Sequence, residues 1–97
     1  MEIEIKRNMQ EVILGVSGRL DTTTAPALDK TINELNDITT LILDLNGLEY
    51  ISSAGLRIVL MAQKRMQQIG SMKVRNVREE IMDVFEMTGF ADILTIE

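Results

Sequence analysis

The chain has 97 residues, with 10 basic and 15 acidic side chains, and it contains no cysteine, histidine or tryptophan. That length suits a single domain, and 45% apolar against 26% charged residues excludes a disordered tail. Without cysteine or histidine there is no thiolate centre, Ser-His-Asp triad or conventional zinc site, and a net charge of −5 argues against nucleic acid as a partner.

Met1, Ile3 and Ile5 alternate with Glu2, Glu4 and Lys6, and residues 11–17 (EVILGVS) have strand character, so an antiparallel hairpin is predicted to open the chain. This charged alternation lacks the apolar region of a signal peptide. The longest mainly apolar stretch, residues 56–62, is broken by Arg57 and is far short of the ~20 residues that span a bilayer. A cytoplasmic protein with no direct membrane insertion is expected.

After Gly18-Arg-Leu-Asp21, any of Thr22, Thr23 and Thr24 can cap a helix whose first turn holds Ala25-Pro26 and whose buried stripe is Leu28, Ile32 and Leu35. Residues 40–45 (TLILDL) form a nearly continuous apolar run, the pattern of a central strand covered on both faces, and Asn46-Gly47 turns the chain. Ser52-Ser53 precede a helix predicted from about residue 54 to 69, with Leu56, Val59, Leu60, Met66 and Ile69 on its core face and Gly70 as its stop. A short strand over 72–75 and a third helix over 78–88, with Ile81, Val84, Phe85 and Thr88 on one side, follow. Residues 93–96 read as a last strand or a tail packed as one. The order β-β-α-β-α-β-α-β predicts one α/β domain whose mixed sheet combines the antiparallel hairpin with parallel βαβ strands.

In βαβ units, sites gather where the carboxyl ends of parallel strands lead into helices. Two such loops stand out, residues 18–24 and 46–55. In the second, either Ser52 or Ser53 can cap the helix, and Gly55 permits close backbone approach. A phosphoryl group on a serine there would meet unpaired N–H donors and the positive end of the helix dipole, so phosphorylation is the functional reading beside plain capping. Asp21 is read either as a neighbour of the serine or as a cap for the first helix. Asp44, inside an apolar run, must find donors, and the N–H groups of the second loop are the candidates.

Arg57, Ile58, Met61, Lys64 and Arg65 fall off the core stripe of the second helix. Ile58 and Met61 could form an adaptable contact surface beside the serines, or be covered by the third helix or by another copy of the chain. Lys64-Arg65 and Glu79-Glu80 read as solvated charge pairs. The seven methionines are scattered, which suits core filling rather than a cofactor box, and no cofactor or metal is expected. Asp21 and Asp44 have no nucleophile-activating partner, so enzymatic activity is not expected.

The run Leu43-Asp-Leu-Asn-Gly-Leu-Glu-Tyr-Ile-Ser-Ser-Ala-Gly-Leu56 resembles the signature of STAS domains, in particular the bacterial anti-sigma factor antagonists. Ser17-Gly-Arg-Leu-Asp21 is similar to that family's loop before its first helix, and Phe85-Glu-Met-Thr-Gly-Phe90 to the end of its third. The resemblance implies a non-catalytic binding module that, when unphosphorylated, sequesters an anti-sigma factor with serine kinase activity and so frees a sigma factor. Phosphorylation breaks that complex, and a metal-dependent serine phosphatase resets it. Aligning Gly55-Leu56 with the family's Gly-Leu places the phosphoacceptor at Ser53, with Ser52 the alternative. Ser52 stands where many members carry aspartate, and Ala54 where many carry serine or threonine. The implied partner surface comprises Asp21, Thr22, Ser52, Ser53, Ala54, Gly55, Arg57, Ile58 and Met61. The same resemblance admits a second role, as a regulatory or structural subunit of a membrane transport or lipid-trafficking ATPase assembly.

Overall fold

The computed structural model describes residues 1–97. Strands β1 (Glu2–Asn8) and β2 (Glu11–Leu20) pair antiparallel around the two-residue turn Met9-Gln10. Then follow α1 (Ala25–Asn33), β3 (Thr40–Asp44), β4 (Leu48–Ile51), α2 (Ser53–Ile69), β5 (Ser71–Arg75), α3 (Glu79–Thr88) and the short α4 (Phe90–Ile93). The sheet order is β1-β2-β3-β5, with β4 beside the C-terminal end of β2. β2–β3, β2–β4 and β3–β5 are all parallel, as helical crossovers require.

All the helices pack on one face of the sheet. Val12, Leu14 and Val16 of β2, Leu41 and Leu43 of β3, and Met72 and Val74 of β5 point to that side and join one core with Leu28, Val59, Met66, Ile81 and Phe85. The expectation that β3 is covered on both faces is therefore corrected. Its other side carries Ile42 and Asp44, beside Ile13 and Gly15 of β2 and Lys73 and Arg75 of β5. Ile42 is only 7% exposed yet lies outside the core cluster, which means that flanking strand side chains, and no helix, cover it. Its burial explains why the run looks uniformly apolar in the sequence.

Several element boundaries differ from the periodicity reading. β2 continues through Gly18, which adopts positive φ at a register shift, so the first loop shrinks to residues 21–24. β4 lies inside what reads as a loop, since its burial runs buried, exposed, exposed, buried instead of alternating. On α2, Leu56, Val59 and Met66 are buried as expected, whereas Leu60 is half-buried and Ile69 exposed; Ala62 and Gln63 occupy the inner face. Gly70 follows α2 as its C-cap, and glycine is needed there because an added Cβ would run into the Thr39 carbonyl oxygen.

On α3, Ile81 and Phe85 are buried and Val84 packs beside them, but Thr88 is exposed, its hydroxyl donating to the Val84 carbonyl oxygen at 2.7 Å. Gly89 closes the helix with φ 81°, and the turn it makes lays Phe90 against Phe85 with ring centroids 6.4 Å apart. No strand forms over residues 93–96: the chain first makes α4, then Ile96 forms a single parallel bridge with Val74. The packed-tail alternative is the one the structure adopts.

Candidate functional site

The carboxyl ends of β2 and β4 meet in register, Leu20 opposite Ile51, and the Ser52 N–H donates to the Leu20 carbonyl oxygen at 2.9 Å. Asp21 and Ser52 therefore leave the sheet from adjacent strand ends, one toward α1 and the other into α2. The first turn of α2 rests directly on those ends. A Cβ at Gly55 would lie 2.8 Å from Leu20 Cγ and 2.9 Å from both Ile51 Cγ1 and the Leu20 carbonyl oxygen, so close approach is what requires glycine here.

The two serines have different local roles. Ser52 is the N-cap, with extended backbone angles, and its Oγ accepts from the Gly55 N–H at 3.3 Å, one of the helix's orphan donors. Ser53 is the first helical residue; it is exposed and its hydroxyl makes no hydrogen bond. Ala54 is half-buried with its side chain packed against the core, and Gly55 is buried.

Arg57, one turn beyond Ser53, is exposed, and Met61, a further turn on, is 50% exposed. Ile58 is half-buried and, with Ile32 of α1 and Met61, lines a cleft of about 140 Å³ between α1 and α2. The neighbour of these two apolar residues is thus α1 and not α3. Arg65, at the far end of this cleft, is not a solvated charge: its guanidinium donates to the carbonyl oxygens of Ile32 at 2.7 Å and Leu35 at 3.0 Å. These carbonyls lie at and just beyond the C-terminal end of α1, where a cation suits the helix dipole, and that of Ile32 also accepts from the Leu35 N–H at 3.1 Å. Lys64, Glu79 and Glu80 are exposed, and the two glutamates sit in the first turn of α3.

The entrance to α1 is a closed hydrogen-bond network. Asp21 Oδ1 accepts from the Thr23 hydroxyl at 2.8 Å and from the N–H groups of Thr23 at 3.0 Å and Thr24 at 3.2 Å. The Thr23 hydroxyl leads the bonds that hold the Asp21 carboxyl below its usual pKa. Thr24 Oγ1 accepts from the Asp21 N–H at 2.8 Å and donates to the Arg19 carbonyl oxygen at 2.8 Å. Thr24 stands at the N-cap but makes no capping bond with its side chain. Asp21 makes no hydrogen bond to either serine, and its bonds order its own turn. Thr22 is exposed.

Two neighbours of the site were not singled out from the sequence. Tyr50 is 41% exposed, and the Arg19 guanidinium lies 4.1 Å from its ring centroid, within cation–π range. Arg19 also stands 3.8 Å from Asp21, tying the two loops together at the surface. The single tyrosine, exposed between Leu48 and Ile51 in a run otherwise apolar or acidic, was the available signal.

Asp44 bonds the second loop as expected. Its Oδ1 accepts from the Asn46 N–H at 3.1 Å and Asn76 Nδ2 at 3.2 Å, while Oδ2 stands 3.6 Å from Arg75. Burial works against its charge most strongly, but these donors and Arg75 together outweigh it and lower the pKa. Asp44 also borders a cavity of about 260 Å³ on the uncovered sheet face, with Glu2, Glu4 and Asn46. This largest cavity is lined by β1–β3 and the turn at 46–47, not by the serines. No three acidic, histidine or cysteine side chains group so as to hold a metal ion.

These features, a one-sided mixed sheet with two helix entrances at adjacent strand ends, define a small α/β domain. The chain matches the STAS domain family over residues 1–97 and belongs to it. It is 28% identical over 98 residues to the anti-sigma-B factor antagonist of Bacillus subtilis, covering 99% of this chain and 90% of that one. It is 40% identical over 57 residues to the putative anti-sigma factor antagonist BtrV of Bordetella bronchiseptica, covering 58% of this chain and 49% of that protein, so the match spans about half of that relative's length. Among solved structures, an anti-sigma factor antagonist from Mycobacterium paratuberculosis superposes with a TM-score of 0.89 at 22% identity, over 98% of this chain and 83% of that one. The unphosphorylated anti-sigma factor antagonist SpoIIAA superposes with a TM-score of 0.83 at 18% identity, over 99% and 88%. At those identities the superpositions speak for the fold. No helix is long and apolar enough to cross a membrane.

Proposed function

We propose that this protein is an anti-sigma factor antagonist, a non-catalytic binding module in the cytoplasm that is switched by phosphorylation of Ser53. The observation that carries the reading is the contrast at the head of α2: Ser53 is exposed with a free hydroxyl, while the Ser52 oxygen is committed to the Gly55 N–H. Unphosphorylated, the protein binds an anti-sigma factor that is also a serine kinase, so that a sigma factor is released. The kinase transfers the γ-phosphoryl group of ATP to Ser53 Oγ, ADP leaves, and the serine proton passes to a base of the kinase. A metal-dependent serine phosphatase restores the hydroxyl.

The energetics suit a binding switch. A phosphate adds about −1.5 to −2 charges, and at an exposed helix N-terminus this favours the fold by only ~0.3–1 kcal/mol. Buried unpaired in an interface, the same charge costs about 3–5 kcal/mol, which is roughly 10²- to 10³-fold or more in affinity. The contact surface would centre on Ser53, Arg57 and Met61 of α2, extend to Ile58 in the α1–α2 cleft, and include Thr22 and the Arg19–Tyr50 stack across the adjacent loop.

The test is incubation with the cognate kinase and ATP, followed by mass-spectrometric localisation of phosphate between Ser52 and Ser53. Phosphate at Ser53, loss of kinase binding in Ser53→Asp and retention in Ser53→Ala support the reading. Phosphate confined to Ser52, or equal binding by the two variants, overturns it.

A further inference from the structure

The outer edge of β1 is regular, unpaired and unusually ordered in its charges. With Asn8 and Glu11 flanking a two-residue turn, the register makes Lys6, Glu4 and Glu2 the residues hydrogen-bonded to β2. The N–H and C=O groups of Ile3, Ile5 and Arg7 then point to the open edge, and no loop bonds them. Edge strands are commonly protected by proline, bulges, a covering element or charged side chains, and of these β1 has only the charges of Glu2, Glu4, Lys6 and Arg7. β1 has no proline, pairs with β2 without a register break, and ends the sheet. At its centre Ile5 is 56% exposed.

The geometry points to a second copy of this chain as the occupant of that edge, the two β1 strands pairing antiparallel about a two-fold axis through Ile5. Only outward-facing residues can form the hydrogen-bonded pairs, so the permitted registers place odd-numbered residues opposite one another. Centring on Ile5 sets Ile5 against its own copy and Ile3 against Arg7 of the other, with about six backbone hydrogen bonds between the chains. It also sets Glu4 directly opposite Lys6, twice, as non-hydrogen-bonded pairs, whose side chains approach most closely. Moving the axis one step either way sets Glu4 against Glu4 or Lys6 against Lys6. The register centred on Ile5 thus has two opposite-charge pairs and no like-charge pair, whereas the one centred on Glu4 sets a Glu4–Glu4 contact against two Glu2–Lys6 pairs and the one centred on Lys6 has only the Lys6–Lys6 contact. Pairing at β1 leaves the entrance to α2 free, so the inference stands apart from the fate of Ser53.

Sedimentation equilibrium of the intact chain tests it, since an interface this small associates only weakly. The expected result is a monomer–dimer equilibrium, with concentration-dependent amide shifts confined to residues 2–8. Glu4→Lys should weaken it by about tenfold or more, and Glu4→Lys combined with Lys6→Glu, which restores both pairs with reversed sign, should return it to within about threefold of the original. Urea midpoints of the variants check that each is folded. A monomer at every concentration up to about 1 mM, where association would be worth less than about 4 kcal/mol, overturns the proposal. So does dimerisation unaffected by Glu4→Lys, or amide shifts that map to α2.

Discussion

The two helix entrances lie side by side at the same edge of the sheet and are built on opposite principles. At the entrance to α1, Asp21, Thr23 and Thr24 bond one another and the backbone, so the polar side chains are consumed in holding a turn. At the entrance to α2 the work is done by close packing of Gly55 on Leu20 and Ile51, helped by one cap from Ser52. Ser53 is left with nothing to hold. A hydroxyl that a partner enzyme must reach and modify is best placed where the fold does not depend on it. The contrast shows how two threonines in one loop, Thr23 and Thr24, can be structural while a serine in the next remains available.

The largest effect should come from filling the close contact at the second entrance. Gly55→Val would drive its side chain into Leu20, Ile51 and a backbone carbonyl oxygen that an ideal Cβ already approaches to 2.9 Å. Overpacking of this kind usually costs 1–3 kcal/mol, and two extra methyl groups against a fixed strand end place the expected loss near the upper limit, about 3 kcal/mol. The measurement is the urea midpoint. Stability unchanged would mean that α2 can lift off the strand ends and that packing does not define this entrance.

At the first entrance the corresponding change is Thr24→Val, which keeps the shape but removes the hydroxyl that the Asp21 N–H and the Arg19 carbonyl oxygen share. A loss of about 1–2 kcal/mol is expected, because a partly buried donor is left unpaired. If the variant is as stable as the parent, water replaces the hydroxyl and the network is not what orders the turn.

Asp44 offers a smaller effect with a pH signature. Its folded pKa lies below the ordinary carboxylate value, so its stabilising contribution is present at neutral pH and is lost as pH falls through the folded value. Asp44→Asn should therefore cost about 1 kcal/mol at pH 7. The gap between variant and parent should close below about pH 4. A gap that instead persisted to pH 2 would assign the loss to geometry and not to charge.

Much of this architecture is legible in the sequence where one local rule suffices. Alternation at Glu2–Lys6 marks the hairpin, and the Leu28–Ile32 spacing gives the buried stripe of α1. Gly70 and Gly89 end α2 and α3 where their positions indicate. The misses occur where tertiary contact decides. β4 has only four residues and no period of two, and it is a strand because β2 continues past Gly18 to pair with it. Gln63 is 5% exposed because it falls on the stripe between Val59 and Met66, and its polarity hides that. Arg65 looks like any surface cation until α1 brings its last carbonyls within reach. At the candidate site the sequence places the serine pair at the head of α2, but which serine caps depends on the extended backbone at Ser52, which no local pattern determines.

The smallest stability changes separate the two serines most sharply. Ser52→Ala removes an N-cap acceptor, a loss of about 1 kcal/mol in typical cases, and the 3.3 Å bond to the Gly55 N–H suggests the lower part of that range. Ser53→Ala removes a hydroxyl that bonds nothing at an exposed helical position, where alanine is also the better helix former, so its stability should stay within about 0.5 kcal/mol of the parent. The same variant should incorporate no phosphate from the kinase, while Ser52→Ala should still be modified. Paired urea titrations and phosphate incorporation on the two variants should therefore give opposite rankings, Ser52 mattering more for stability and Ser53 for modification. If instead Ser53→Ala proved the more destabilising, its hydroxyl would be holding the helix entrance, and the division between a structural serine and an available one would fail.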